Sequence, residues 1–344
     1  MNKPSYYPQI DSLRFMAISA VLISHWLPQH WVNHLQLGRI GVDLFFVISG
    51  FLITRILLRQ RSGPQSLGQK LKTFYLRRSL RIFPLYYFVV LLTYFVNRGV
   101  FEEALWWNLF YGSNFFILGR EAWVGTMSHF WSLSVEEHFY LFWPLLILLP
   151  LRRRMLSIII AAILLGLGCR FFFYAFDYPS LYAIIFTFSC FDALAIGALL
   201  AYLYHVDYAY WQRRIAASSW LPLLALAGLC YCWYGYFYDA PFDDLFKLVL
   251  LRLFAGILSF FLIAKAIDST AAIFNNRYLV AMGKWSYSMY LLHNFIPGML
   301  LGVAFLEHPL ARFVLHFVVL LVLSYLSWRF LEMPFNRLKH RFKY

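Results

Sequence analysis

Long apolar stretches separated by short polar ones run along the whole chain. They recur at about 17–25 residues, the length of an α-helix that crosses a bilayer. Ten such helices are predicted, at 12–28, 40–58, 82–97, 131–150, 155–174, 184–204, 219–237, 246–267, 285–305 and 311–330. Residues 101–118 are apolar but short and rich in tryptophan, which favours an interfacial or re-entrant segment. The pattern predicts an all-α, polytopic membrane protein with a single domain over residues 1–344 and no soluble extracytoplasmic domain.

Lysine and arginine are distributed unevenly between two sets of connections. One set contains most of them, at 1–12, 59–81, 151–154, 205–218, 268–284 and 331–344. The other set contains Arg98, Arg120 and an acidic, turn-like segment at 239–244. Because cytoplasmic loops carry the excess of basic residues, the first set is expected in the cytoplasm. Ten spans then place both termini on that side.

Composition narrows the class of protein further. The chain of 344 residues is 62% hydrophobic and 13% charged, whereas soluble domains carry roughly 25% charged residues. The net charge of +14 would suggest a nucleic-acid partner in a soluble protein, but here the basic residues lie between apolar blocks, so the bilayer is the expected partner and nucleic acid is not. The four cysteines show no metal-ligand spacing, and no metal is expected.

The first predicted helix carries two ionisable residues that a bilayer span would exclude unless they are paired or hydrated. Arg14 and His25 are eleven residues apart, which is about 16 Å of rise and three turns plus about 20°, so they share one helix face. Such a spacing suits an elongated ligand, with Arg14 donating hydrogen bonds to a phosphate at one end and His25 accepting a proton at the other. The structural alternative pairs Arg14 with Asp11 or with lipid phosphate and makes His25 a helix cap.

Charged residues also mark the second predicted helix and the segment after it. Asp43 lies near the outer end of its helix, at about the depth of His25, where it is placed to orient the imidazole. Arg78 and Arg81 are one turn apart at the cytoplasmic start of the third predicted helix and form a candidate clamp for pyrophosphate or 3′-phosphate. The alternative for this arginine pair is an ordinary basic membrane anchor.

The fourth predicted helix opens with polar residues on the opposite side. Glu136 and Glu137 are adjacent and point about 100° apart, so one of them is expected to face a polar cavity, where it can bind a hydroxyl or assist proton transfer. Three residues are candidates for binding the acceptor: Trp131, Tyr140 and His293. For Trp131 the alternative is an interfacial aromatic belt, and for His293 it is a hydrogen-bonded core histidine.

Two other features have structural interpretations. Gly41, Ser49 and Gly50 permit close approach between helices. Asp192 lies deep in the sixth predicted span and requires a partner, for which Arg170 on the preceding helix is at a suitable depth. We expect a structural ion pair there.

Taken together, these motifs resemble membrane acyltransferase family 3, the group that O-acylates bacterial polysaccharides, lipopolysaccharide, peptidoglycan, Nod factors and some macrolides. The matching stretches are IDSLRFMAISAVLISH, GVDLFFVISGFLI, FYLRRSLRIFPLYY, HFWSLSVEEHFYLFWP, FDALAIGALLA, YSMYLLH and FLEMPFNR. They follow the family order from residue 6 to residue 337, and the ordered series is far more specific than any one motif. His138 stands where the family commonly has Gln.

The resemblance implies an O-acyltransferase of the standalone type in the bacterial cytoplasmic membrane. Its donor would be acetyl-CoA, or another short acyl-CoA, from the cytoplasm. Its acceptor would be a polysaccharide or other glycan, with the polysaccharide-biosynthesis machinery as an expected associate. The resemblance also implies that His25 is catalytic and that Arg14, Arg78 and Arg81 serve the donor.

Two chemical routes stay open for such an enzyme. His25 acts either as a general base, helped by Asp43 or a glutamate of the fourth helix, or as a nucleophile that forms an acyl-imidazole. The rival function is a proton-coupled transporter or flippase of a glycan or lipid-linked intermediate, which would use His25, Asp192 and His293 as a relay. The sequence shows no internal duplication of the kind that transporters often carry. A non-catalytic scaffold leaves the intramembrane histidines and carboxylates unexplained.

Overall fold

The computed structural model describes residues 6–96, 99–149, 154–235, 244–300 and 308–342. Within these ranges the regular secondary structure is helical and contains no β-strand, which confirms the all-α prediction. The longer α-helices, in chain order, are α1 (Pro8–Trp26), α2 (Leu37–Arg61), α3 (Leu67–Val96), α4 (Gly99–Leu109), α5 (Ser113–Arg120), α6 (Phe130–Leu148), α7 (Met155–Ala175), α8 (Phe191–Val206), α9 (Tyr208–Ala217), α10 (Trp220–Tyr234), α11 (Leu251–Ile267), α12 (Arg277–Lys284), α13 (Ser286–Leu292), α14 (Pro309–Ser327) and α15 (Met333–Leu338).

Most predicted spans coincide with a helix to within a few residues, and α3 is the main exception. The third span was expected from residue 82, but α3 begins at Leu67 and includes the basic segment at 70–81 that precedes the predicted span. Lysine, arginine and leucine are good helix formers, so polar composition marks the edge of the membrane and not the end of a helix. Arg98 and most of the predicted acidic turn, residues 239–243, lie outside the described residues.

The predicted span at 285–305 is interrupted within its described part. It consists of α13, a 3₁₀ turn at His293–Phe295 and a short helix at Ile296–Met299. Pro297 accounts for the break, because proline has no N–H and its ring clashes with the carbonyl four residues earlier. Residues 301–307 lie outside the described part. The Trp-rich segment at 101–118 is likewise divided, into α4 and α5, by Tyr111, whose φ is 56°.

Several helices are long and apolar enough to cross a membrane. Judged by length and composition, five qualify among the described residues: Leu37–Arg61, Met155–Ala175, Thr187–Val206, Leu245–Ile267 and Pro309–Leu338. A sixth would be added if α9 and α10, which are bent by 52°, count as one span. The chain is therefore a polytopic membrane protein. Helices α1 and α6 are not among these five, because charged residues lower their mean hydropathy: α1 carries Asp11 and Arg14, and α6 carries two adjacent glutamates.

The chain divides into two compact units, of which the first comprises Met1–Arg55, Leu156–Ile184 and Phe188–Ser286. In this unit α2 and α8 are in close contact. A Cβ atom added to Gly50 would lie 1.8 Å from the Leu194 carbonyl oxygen, and one added to Gly197 would lie 1.9 Å from that of Val47. Small residues at such a crossing let two backbones pack directly, which is a common way for helices to associate in lipid. The prediction for Gly50 is confirmed.

The second unit comprises Ile56–Met155, Ile185–Thr187 and Tyr287–Tyr344. Helix α3 belongs to this unit and has 30 residues. Tyr86 and Tyr87 on α3 donate hydrogen bonds to the carbonyls of Asn108 and Leu109, at 2.7 and 3.1 Å. Those carbonyls belong to the last turn of α4 and have no partner within their own helix. The two tyrosines therefore fix the end of α4 against α3.

Candidate active site

Arg14 and His25 lie on one uninterrupted helix, α1, in the first unit. Pro8 occupies the first turn of α1, and the helix ends at Trp26 because Leu27 precedes a proline and is extended, with ψ of 157°. Arg14 is half-buried and His25 is exposed. The spacing predicted from the sequence is therefore realised as regular helix. The Nε2 atom of His25 lies 3.9 Å from the position of a Cβ on Gly38, at the start of α2.

The environment of Asp43 differs from the prediction. Asp43 Oδ1 accepts a hydrogen bond of 2.7 Å from Nε of Arg252, a residue of α11 that is 209 positions away in the sequence. The aspartate is 1% exposed and the arginine 2%. The sequence suggested that Asp43 orients His25, whereas in the structure its ionic partner is Arg252. An ionisable residue inside a predicted span is a candidate functional residue by default. Arg252 lies inside the span predicted at 246–267 and could have been recognised from the sequence on that ground, but it was not.

Arg252 and Arg170 meet at one backbone carbonyl. Arg170 forms two parallel hydrogen bonds with the Asp192 carboxylate, at 2.6 and 2.8 Å, and both side chains are fully buried. The Nη1 atoms of the two arginines also donate to the Ser189 carbonyl oxygen, at 2.5 Å from Arg170 and 3.0 Å from Arg252. The predicted pair of Asp192 with Arg170 is confirmed. The two ion pairs form one buried network that fixes α7, α8 and α11 and joins α2 to them.

In the second unit, four predicted site residues are brought together. The Arg78 guanidinium lies 3.9 Å from the centre of the Tyr140 ring. The Tyr140 hydroxyl donates a 2.7 Å hydrogen bond to Oε2 of Glu136. Both Glu136 and Glu137 act electrostatically on Arg78, and Glu137 Oε1 is a buried acceptor with no hydrogen-bond partner among the described residues. A guanidinium next to an aromatic face and two carboxylates forms a polar site that can bind a polar ligand group.

Arg81, one turn further along α3, has a different set of neighbours. It acts electrostatically on Glu332 and on Lys339, which belong to the C-terminal part of the chain. Glu332 is 5% exposed. The C-terminal part of the chain is thus linked to the arginine pair of α3. Lys339 was not singled out in the sequence, because a lysine in a basic tail has no distinguishing pattern.

The remaining candidates for the acceptor site are buried residues. Trp131 is 7% exposed and His293 is completely buried. The Nδ1 atom of His293 lies 2.6 Å from the Tyr290 carbonyl oxygen, and its ring is 4.8 Å from that of His129. Nδ1 of His129 in turn accepts a 3.0 Å hydrogen bond from Asn294. His293 therefore fits the core-histidine alternative, and its contact with an acceptor stays a prediction, as does that of Trp131.

Comparison with known proteins gives a consistent result. The family model Acyl_transf_3, described as an acyltransferase domain, matches residues 7–329. The chain is 28% identical to the peptidoglycan O-acetyltransferase OatA of Listeria monocytogenes over 361 residues, which cover 96% of this chain and 56% of the relative. It is 27% identical to the O-acetyltransferase OatA of Staphylococcus aureus, with 98% of this chain and 58% of the relative covered. The chain thus spans somewhat more than half the length of these relatives. No solved structure matches it.

Proposed function

Because the chain belongs to the Acyl_transf_3 family of acyltransferases, we propose that it moves an acetyl or another short acyl group from cytoplasmic acyl-CoA to hydroxyl groups of a glycan outside the cytoplasm. The glycan class is supported by the relative that acts on peptidoglycan. The acyl-CoA donor is supported by the basic segment of α3, since guanidinium groups bind phosphate well. In this proposal Arg14, Arg78 and Arg81 bind the donor.

The proposed topology has ten membrane spans in the bacterial cytoplasmic membrane, with both termini in the cytoplasm. It adds α1, α3, α6 and the interrupted segment that begins at α13 to the helices that qualify by composition alone. The uneven distribution of lysine and arginine supports this orientation. Buried charges can be retained in such spans when they are paired or face water, as the ion pairs of Asp43 and Asp192 illustrate.

The proposed chemistry assigns His25 the role of general base. An acceptor hydroxyl gives its proton to the imidazole while its oxygen attacks the thioester carbonyl of acyl-CoA. The tetrahedral intermediate then expels the CoA thiolate, and the imidazolium returns the proton to the sulfur. The products are a glycan ester and CoA. In the alternative route the imidazole itself carries the acyl group, and detection of acetylated His25 when the acceptor is withheld would favour it.

One observation carries the proposal: the family match covers the helix that presents Arg14 and an exposed His25 on one face. The test expresses variants in cells that lack the native protein and measures base-labile acetate on surface glycans, together with CoA released from acetyl-CoA by purified protein. His25→Ala is expected to reduce both by about 10²–10⁴-fold. The matched control is His30→Ala, which removes an exposed histidine from the short helix Gln29–Val32 and should leave both unchanged.

Two results would contradict the proposal. Normal glycan acetylation by His25→Ala would exclude the histidine as base and nucleophile alike. A wild-type protein that moves a glycan across the membrane but releases no CoA would support the transporter alternative, since transport has no reason to cleave a thioester.

A further inference from the structure

The C-terminal segment of the second unit is held against the basic part of α3. Nη1 of Arg77 donates to the Lys339 carbonyl oxygen at 2.9 Å and to the Phe342 carbonyl oxygen at 2.5 Å. Helix α15, which leads into this segment, packs on α3. Backbone carbonyls at a helix end need partners, and an arginine that supplies two donors fixes the segment in one register. The position of Lys339 is therefore determined by the fold and is not that of a loose tail.

This arrangement places Lys339 among like charges. Arg81, Arg78 and Arg77 all act on it, and Glu332 is the carboxylate that opposes them. Arg78 is also close to Glu136 and Glu137, but Lys339 itself meets three cations and one acid. Its side chain is half-buried. An ammonium has three N–H donors, and among the described residues its hydrogen bond goes to the amide oxygen of Asn336. Donor capacity therefore remains for an anion.

Clustered cations of this kind are unfavourable unless an anion joins them. Burial, followed by the charges of Arg81, Arg78 and Arg77, lowers the pKa of Lys339 to about 6, while Glu332 acts in the opposite direction. A phosphate group reverses this balance, because it supplies negative charge and several strong acceptor oxygens at once. A simple basic anchor for lipid headgroups would expose its lysine fully, whereas Lys339 is recessed beside a carboxylate that is 5% exposed.

We propose that Lys339 is a further phosphate-binding residue of the acyl donor site, brought to Arg77, Arg78 and Arg81 by the fastened C-terminal segment. The inference rests on the proposed function, in which Arg78 and Arg81 bind acyl-CoA. It adds the C-terminal segment to that site and assigns it recognition of a CoA phosphate. Lys339 is a binding residue in this scheme and takes no part in the acyl transfer.

The test measures the Kd of CoA and of 3′-dephospho-CoA by calorimetry, and KM and kcat for acetyl-CoA, on purified full-length protein. Lys339→Ala is expected to weaken CoA binding and raise KM by about tenfold, the loss of one charge-assisted contact, with kcat little changed. Lys339→Arg should restore affinity to within about threefold of wild type. The control is Arg341→Ala. Arg341 is exposed and lies two residues after Lys339, so removing its positive charge should change neither Kd nor KM.

The outcomes separate the inference from the function on which it rests. A tenfold loss for CoA that disappears with 3′-dephospho-CoA assigns Lys339 to the 3′-phosphate, and a loss that persists assigns it to the pyrophosphate; both support the proposal. An unchanged Kd in folded Lys339→Ala, with a raised Kd in Arg78→Ala, would overturn it and leave the proposed function intact. Reconstitution into bilayers with and without anionic phospholipid tests the other source of phosphate: if Lys339→Ala changes the melting temperature only where anionic lipid is present and leaves CoA binding unchanged, the inference is wrong. A wild-type protein that binds no CoA would instead refute the proposed function.

Discussion

The buried pair of Arg252 and Asp43 makes the fold unusually sensitive to one substitution. Replacing Arg252 with methionine keeps much of the side-chain volume but removes four hydrogen bonds. These go to Asp43 Oδ1 at 2.7 Å, to the Ser189 and Ile184 carbonyl oxygens at 3.0 and 2.9 Å, and to Cys190 Sγ at 3.0 Å. Arg252→Met therefore leaves the Asp43 carboxylate, which is 1% exposed, without its cation.

The expected loss in the free energy of unfolding is about 3–5 kcal/mol, the usual consequence of removing one member of a buried ion pair. A single hydrogen bond to a charged group contributes roughly 1.5–3 kcal/mol, so the estimate corresponds to losing about two of the four without compensation. The carbonyl of Ser189 keeps its hydrogen bond from Arg170, which limits the loss. In the double variant Asp43→Asn/Arg252→Met no charge is stranded, so its destabilisation should be smaller than the sum of the single effects by about 0.5–3 kcal/mol.

The assay is reversible unfolding of the purified protein in mixed detergent micelles, followed by tryptophan fluorescence and circular dichroism. Arg213→Met is the matched control, because Arg213 is exposed on α9; it should change stability by less than about 0.5 kcal/mol. A loss below about 1 kcal/mol for Arg252→Met, or strict additivity in the double variant, would refute the reasoning. Acyl transfer by folded Asp43→Asn then separates a structural role of Asp43 from a catalytic one, since only a catalytic role reduces kcat in protein that stays folded.

Three further predictions follow from other contacts. Gly50→Val should block the crossing of α2 and α8 and sharply reduce folded protein. Gly168→Ala, whose added Cβ would meet no atom within 4 Å apart from its chain neighbours and its own helix backbone, should be neutral or stabilising by up to about 1 kcal/mol. Equal melting temperatures of the two variants in detergent would contradict this. Tyr140→Phe keeps the ring beside Arg78 but loses the hydroxyl that donates to its glutamate, so it should raise KM for acetyl-CoA less than Tyr140→Leu does. Burial and the nearby arginines lower the pKa of Lys339 to about 6, and a phosphate bound beside it raises that pKa again. Binding therefore makes the lysine take up a proton, and its contribution to CoA affinity should fall as pH rises above 6. Calorimetry in buffers of different ionisation enthalpy should show this uptake, and an equal uptake in Lys339→Arg would contradict it.

Helix positions were largely accessible from the sequence, because a bilayer requires apolar runs of a nearly fixed length. The length of the apolar run gave the wrong start for α3. Its composition becomes polar before residue 82, but the helix begins at Leu67. Pro297 offered a local signal for the break in the predicted span at 285–305, but hydropathy does not register it. The placement of Arg14 and His25 on one face needed only the geometry of α1, and it could be derived before any fold was known.

The pairing of charges was determined only in part by the sequence. The pair of Arg170 and Asp192 could be anticipated, because the two residues lie on consecutive predicted spans at similar depth. The partner of Asp43 could not, because Arg252 is 209 residues away and nothing in a hydropathy profile says which distant helices pack together. Hydropathy and residue spacing were therefore enough to predict an all-helical membrane protein and to single out its buried charges. Which of those charges meet depends on the packing of distant helices, because in an apolar interior each charge must take whichever partner that packing brings within hydrogen-bond distance.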